Sequence, residues 1–338
     1  MLPSYITDAD IDVMQKHLRK RRSRAKRPLF IFPCGGNEDN YSSRRMFKRY
    51  VARSKSESLS NVFCLTAEDV ARRKSLRELN LLQQEALLVD ICDWVIIFAE
   101  SPGSFCELGA FSALPHAAEI TSVAIDRKYR LDKSYLIEGP AREISELDTP
   151  LSKVFYLDLS NPFSSAEFSS YVSQLRSYVT ANDDHAIAGI RKPINLAEDQ
   201  VDAGSLAHEL LDLLQYIGSV SKKELVDVYC AVKGFKKSSI KVVSRILSED
   251  MKVLSDDKNL RLDIDNVIEM LCAVGLASER FEPCLGSDII SSNVHLESYF
   301  MFRGEYSARF SDTQAIILLR KRSRGLGYGD GYRFENRK

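Results

Sequence analysis

No run in this 338-residue chain approaches the roughly 18–20 consecutive apolar residues that a membrane-spanning helix needs, so no membrane span is expected. There is no Cys-x-x-Cys pair, and Cys34, Cys64, Cys92, Cys106, Cys230, Cys272 and Cys284 share no metal-ligand spacing with any histidine. An odd, scattered set of thiols without a secretory apolar segment points to reduced cysteines and a cytoplasmic protein. The histidines (His17, His116, His185, His208 and His295) are isolated from one another, and no metal is expected. Neither a Gly-x-Gly-x-x-Gly fingerprint nor a P-loop occurs, and there is no internal repeat. Net charge is also absent, yet the charge is unevenly placed. Residues 16–27 carry eight Lys or Arg and no acid, and the last nineteen residues carry seven bases against Asp330 and Glu335. Basic ends on a neutral body suggest arms that grip phosphate.

What is present is a soluble-protein composition, 44% hydrophobic and 28% charged, in a chain long enough for two domains. Five apolar runs rich in β-branched or aromatic residues read as strands: Leu29–Cys34, Val62–Thr66, Trp94–Ala99, Thr121–Asp126 and Lys153–Leu159. Helical patterns over Ser43–Arg53, Leu76–Cys92 and Phe105–Leu114 separate most of them, and one over Ala166–Val179 closes the series. Strands alternating with helices predict an α/β fold, a parallel sheet covered on both faces, in which ligands bind beyond the carboxyl ends of the strands. The expected organisation is a basic arm over 1–28, a catalytic domain over 29–180, a polar linker over 181–204, a second domain over 205–290 and a C-terminal extension with a basic tail over 291–338.

The second domain reads as mostly α. Helical patterns at Leu206–Ile217, Lys222–Val232 and Ser239–Leu247 precede two short strand-like runs about a polar turn over 252–263, the pattern of a winged helix-turn-helix. Ile240, Val243 and Leu247 would form the buried stripe of the third helix. Lys237, Lys241 and Arg245 would share another face and suit phosphate contacts.

The stretch with the most chemical content is Asp93–Leu114. A buried strand runs into the tight turn Glu100-Ser101-Pro102-Gly103-Ser104 and then into a helix with Glu107 near its start. Gly103 permits close backbone approach, and the free N–H groups of a helix start suit phosphate or sugar oxygens, so Ser101, Gly103 and Ser104 are candidate substrate contacts. Cys34-Gly35-Gly36 ends the first strand, where its backbone can line a pocket. Glu85 lies on the stripe Leu81-Glu85-Leu88-Cys92, where a carboxylate is costly unless it has a task. Glu68 and Asp69 after the second strand and Asp126 after the fourth sit at the productive edge of the sheet. Cys34 and Cys106 flank the site without a histidine partner and read as packing residues.

The strand, Gly-Ser turn and Glu-Leu-Gly-Ala sequence resemble nucleoside deoxyribosyltransferases, whose nucleophilic glutamate opens a similar helix. The longer pattern is closer to the deoxyribosyltransferase-like effectors of type II-A retrons, antiphage systems built on a reverse transcriptase and its msDNA. It comprises IFPCGG (31–36), AED (67–69), LLQQEALLVDICDWVIIFAESPGSFCELGAFS (81–112) and DRKYRLDKSYLIEGPAR (126–142). Asn40, Ser43 and Arg45 match the same pattern, and Arg45 is placed to pair with a phosphate.

The resemblance implies a parallel-sheet, deoxyribosyltransferase-like domain of Rossmann or flavodoxin type followed by a winged helix, with Glu107 as nucleophile in a retaining mechanism. It further implies a reverse transcriptase and msDNA as partners. In transferases the loop carrying Lys128, Tyr129, Tyr135 and Arg142 can complete a neighbouring subunit's pocket, so homo-oligomerisation is expected. Where transferases often carry an acidic residue ahead of the nucleophile, this chain has Ser101-Pro102-Gly103-Ser104. An ordinary purine leaves well only when protonated, whereas the nicotinamide of NAD is already cationic. The leading expectation is therefore a toxin that hydrolyses NAD, with NAD as substrate and no cofactor. Glu100 and Glu85 stand as alternative acids. Two other readings remain open: a deoxyribosyltransferase-type hydrolase of nucleotide pools, and a non-catalytic, nucleotide-sensing regulator that binds nucleic acid.

Overall fold

The computed structural model describes residues 6–19, 28–54, 59, 61–76, 78–180, 196–197, 199–236, 240–248, 262–283 and 286–294. The chain divides into two compact units, one drawn from Met1–Lys20, Glu209–Ser239 and Gly275–Lys338, the other from Arg21–His208 and Ile240–Val274. The first unit begins with helix α1 (Asp8–Arg19).

The second unit is an α/β sheet domain. Its strands β1 (Leu29–Cys34), β2 (Val62–Cys64), β3 (Trp94–Ala99), β4 (Thr121–Asp126) and β5 (Val154–Leu157) lie in the order β2-β1-β3-β4-β5, and every pairing is parallel. This is a doubly wound order with its switch point between β1 and β3, where the chain turns from building one side of the sheet to building the other. β1 and β3 are buried along their whole length, which is why they read as unbroken apolar runs rather than alternating ones. Trp94 is fully buried and still satisfied, because its indole N–H donates to Ser122 Oγ at 3.0 Å.

Between the strands run α2 (Ser43–Arg53), α3 (Ala67–Arg72), α4 (Leu81–Ile91), α5 (Pro102–Ser112), α6 (Pro115–Ala118) and α7 (Arg142–Glu146), and after β5 the helix expected over Ala166–Val179 is divided at Gln174 into α8 (Ala166–Ser173) and α9 (Leu175–Thr180). Two of the others also differ from expectation. α4 starts only at Leu81, where Asn80 and Gln83 form a reciprocal capping box, and Leu81 itself is exposed. From Ala86 to Ile91 α4 is buried without interruption, so Leu81-Glu85-Leu88-Cys92 is not its one apolar face. α5 starts three residues earlier than the pattern suggested. Ser101 caps it by accepting from the Ser104 amide, Ser104 reciprocates, and Pro102 occupies the first helical position. Glu107 is therefore on the second turn, beyond the strongest field of the helix N-terminus.

The remaining part of this unit departs from the expected third helix. Lys241–Val243 forms strand β7, paired in parallel with β6 (Gln200–Asp202), and the helix that follows, α12 (Arg245–Ser248), has a single turn. The β-branched Val242 and Val243 prefer this pairing to a helix. The expected linker is thus partly structured, since β6 and the start of α10 (Ala203–Ile217) fall within it. Gly204 is obligatory there: a Cβ would sit 2.2 Å from the Asp90 carbonyl oxygen. α13 (Ile264–Ala273) completes the unit, with its Glu269 accepting from Arg73 Nε at 2.6 Å and from Ser75.

Arg245 is buried, and its Nε donates to Asp202 Oδ1 at 2.8 Å. It cannot share an exposed basic face with Lys241, because its guanidinium is committed to a buried carboxylate. Removing one partner of such a pair strands the other charge, so Arg245→Ala is expected to destabilise the protein by roughly 3–5 kcal/mol in chemical denaturation. A loss under about 1 kcal/mol, as for an exposed pair, would show the interaction to be peripheral.

In the other unit α1 packs on α11 (Lys222–Lys233), and Glu209 joins Tyr229 and Lys233 at 2.8 and 2.9 Å. β8 (Ala277–Glu282) and β9 (Ser287–Ser292) form an antiparallel hairpin. The hairpin expected over 252–263 lies outside the described residues except for Leu262, which bridges to Val242, and Asp263, which caps α13.

Candidate active site

The carboxyl ends of β1 and β3 flank the switch point, and the residues following them build the site. After β1 the chain turns sharply at Gly35-Gly36. The Tyr41 ring lies against Gly36 so closely that a Cβ there would meet it at 2.2 Å, which fixes glycine at this position. After β3, Glu100 leads into the Ser101 cap of α5, which carries Glu107.

Glu107 is half-buried, and its Oε2 is buried without a hydrogen-bond partner among the described residues. Burial, and after it the negative field of Glu85, pushes its carboxyl up to about 8, against a weaker opposing pull from Arg44. Glu85, reaching the same place from α4, is pushed up to about 7 by burial and by Glu68. The buried Cys34 thiol is raised by burial and by the fields of Glu107 and Glu85, so it is a neutral wall of the site and no nucleophile. Cys106, though next to Glu107 in sequence, is exposed.

Arg44 opposes the upward shift of Glu107. Arg44 is buried and bonds Glu68 Oε1 at 2.5 Å, with Glu38 Oε1 at 3.3 Å from its Nε. Sequence reasoning singled out its neighbour Arg45 instead. Arg45 is half-buried and donates to the Glu38 carbonyl at 3.1 Å. The overlooked signal was periodicity: Arg44, Phe47 and Val51 occupy i, i+3 and i+7 of α2, all three are buried, and the stripe points Arg44 inward.

The other expected residues divide clearly. Ser43 is buried and meets Glu100 Oε2 at 2.6 Å. Ser101 and Ser104 are occupied with capping α5, and the Ser104 hydroxyl also accepts from the Glu100 amide at 3.0 Å, so both shape the turn. Gly103 is exposed, and a Cβ there would make only an ordinary contact with Ser101 Oγ at 3.9 Å. Asn40 is exposed on the turn before α2. Asp69 is held by Thr66 at 2.5 Å and by Arg72 at 3.3 Å. Asp126 caps the turn after β4 and pairs with Lys128 at 3.2 Å. Tyr129 and Tyr135 are exposed on the following segment, and Arg142 pairs with Glu146 at 2.6 Å. Lys241 is exposed and pairs with Asp199 at 3.0 Å, while Lys237 lies outside the described residues.

The fold and site define a doubly wound α/β protein with two half-buried glutamates, Glu107 and Glu85, whose carboxyls burial raises near the switch point of the sheet. Comparison with known proteins narrows this, for the chain belongs to the STM3845 retron effector protein family, whose model matches residues 40–262. Two relatives from Escherichia coli are similar over most of their length. One, provisionally named the ribosyltransferase/DNA-binding protein of retron Ec86, is 28% identical over 236 residues, covering 65% of this chain and 72% of the relative. The other, with the corresponding name for retron Ec73, is 25% identical over 225 residues, covering 63% and 70%. The matched span contains Glu68, Glu85, Glu100 and Glu107. Among the described residues no helix is long and apolar enough to cross a membrane.

Proposed function

We propose that this retron effector is an N-glycosidase that hydrolyses NAD to nicotinamide and ADP-ribose, with Glu107 as nucleophile. A Glu107 oxygen attacks the anomeric carbon of the nicotinamide ribose. The carbon–nitrogen bond breaks, and its electron pair neutralises the pyridinium nitrogen, so nicotinamide leaves without a proton. Water then attacks the same carbon of the glycosyl ester, its proton passing to Glu85 or to solvent, and the Glu107 carboxylate is restored.

The observation that carries this reading is the excess of acid over base. Glu107 lies in the negative field of Glu85, Arg44 bonds Glu68 and lies 3.3 Å from Glu38, and Glu107 Oε2 has no partner among the described residues. Burial first, and repulsion among the acids after it, favour protons on the pair. A cationic ring, and after it an oxocarbenium-like transition state, relieves that repulsion where a neutral nucleoside would not.

The pH dependence tests this. The free pair must lose a proton before Glu107 can attack, and the leaving nicotinamide needs none. With NAD, kcat/KM is expected to rise with pH as the Glu85–Glu107 pair titrates, between about 7 and 8, and then to level off. A descending alkaline limb in the same range would reveal an essential acid and count against this mechanism.

As partners we propose the retron's reverse transcriptase and its msDNA, which would hold the toxin inactive until infection, in a homo-oligomeric assembly. Family membership supports the association with retron components. Any nucleic-acid contact by the 237–245 segment would fall to Lys237 and Lys241, since Arg245 is buried.

A further inference from the structure

Glu100 sits where three loops of the sheet's carboxyl edge meet, and its surroundings set its proton count. Ser43 Oγ, at the start of α2, lies 2.6 Å from Glu100 Oε2 and 2.5 Å from the carbonyl oxygen of Leu159, beyond β5. A serine hydroxyl has one proton and cannot donate to both oxygens at once. The carbonyl can only accept. The arrangement is satisfied when Ser43 donates to Leu159 and Glu100 carries a proton that it donates to Ser43 Oγ. An ionised Glu100 would leave either its own oxygen or the Leu159 carbonyl facing a lone pair at bonding distance, which is costly where Ser43 is fully buried.

We infer that Glu100 is a neutral carboxylic acid in the working protein, its proton locked into a Glu100–Ser43–Leu159 chain, and that it positions the site rather than donating a proton to the leaving group. Three further features agree. Burial raises its carboxyl, against weaker opposing effects of Ser43, the Gly36 amide and the charge of Arg44. A Cβ on Gly35 would lie 3.2 Å from its other oxygen, tighter than an ordinary contact, so the carboxyl packs against the Gly35-Gly36 turn. The Glu100 amide is itself fixed by Ser104 at 3.0 Å. Glu100 thus ties the Gly35-Gly36 turn, the start of α2 and the segment after β5 to the cap of the Glu107 helix. A residue whose proton already has an acceptor in the protein is a poor general acid. This inference rests on the NAD reading and deepens it, because it removes one of the two candidates, Glu100 and Glu85, for the acid that purine release would require.

The proton state can be read without any activity. In the full-length protein near neutral pH, the infrared difference spectrum of wild type minus Glu100→Gln is expected to contain a protonated-carboxyl C=O band, and wild type minus Ser43→Ala should show that band shifted. The second comparison stands alone if Glu100→Gln does not fold. A difference spectrum with only carboxylate bands at position 100, or a band indifferent to Ser43, overturns the inference whatever the substrate proves to be. In turnover, Glu100→Ala should lose about tenfold or more through misplacement of the Glu107 helix, and the amide of Glu100→Gln, which can donate to Ser43 as the acid does, should recover most of it. If Glu100→Gln were instead as damaging as Glu100→Ala, with a limb lost from the pH profile, Glu100 would be the proton donor.

Discussion

Glu107→Gln is expected to cut base release by about 10³-fold or more, because it removes the atom that forms the new bond to carbon and leaves only binding and positioning. The same change should make the protein more stable, and the direction follows from linkage. Burial and Glu85 raise the Glu107 carboxyl from 4.5 to about 8, so the folded state holds this proton more tightly than the unfolded chain does. Stability contributed by the group is therefore fully present below about pH 4.5 and falls as pH rises through the folded value. Glutamine escapes that loss. Each pKa unit is about 1.4 kcal/mol, and partial access to solvent reduces the total, so the variant should gain roughly 1–3 kcal/mol near pH 8 and nothing near pH 4. An inactive but stabilised variant is the signature of a functional carboxylate kept at the expense of the fold. A variant retaining a tenth of wild-type turnover would remove Glu107 from the mechanism, and one destabilised at pH 8 would show that the carboxylate has partners that stabilise it.

Leaving-group preference should be the second large effect. General acid help is typically worth about 10²–10⁴-fold; Ser101 and Ser104 occupy the turn ahead of Glu107, and on the inference drawn above the proton of Glu100 is held by Ser43, so neither would supply it. NAD is thus expected to exceed adenosine or deoxyadenosine in kcat/KM by about 10²-fold or more. Glu85 is the serious competitor. It holds a proton near neutrality and its field acts on Glu107, which suits an acid as well as it suits a base for the water step. Rapid adenine release that vanished in Glu85→Gln would assign it the first role and return the protein to the deoxyribosyltransferase class.

Strands β1 and β3 were legible because they are buried along their whole length and so run apolar without a break. The bounds of Leu29–Cys34, Trp94–Ala99 and Thr121–Asp126 coincide with the observed strands, as does Ser43–Arg53 with its helix. Where local chemistry competed with pattern, the reading slipped. Ser101, Pro102 and Ser104 start α5 by capping, which apolar periodicity over Phe105–Leu114 does not register. Ile240–Leu247 has a helical spacing, yet Val242 and Val243 pair with β6, a partner some forty residues upstream that no local pattern reveals. Glu107, Gly35 and Gly36 were identifiable from motif and strand end. The pairing of Glu107 with Glu85 was not, because it depends on how α4 and α5 pack. Arg44 was hidden by the choice of the more exposed of two adjacent arginines.

Release of nicotinamide from NAD by the purified full-length protein, separated by chromatography, tests the central claim most directly. Repeated turnover is expected, with nicotinamide and ADP-ribose in equal amounts and release from Glu107→Gln lower by about 10³-fold or more. Intact NAD in the presence of protein that frees adenine from nucleosides would contradict the claim.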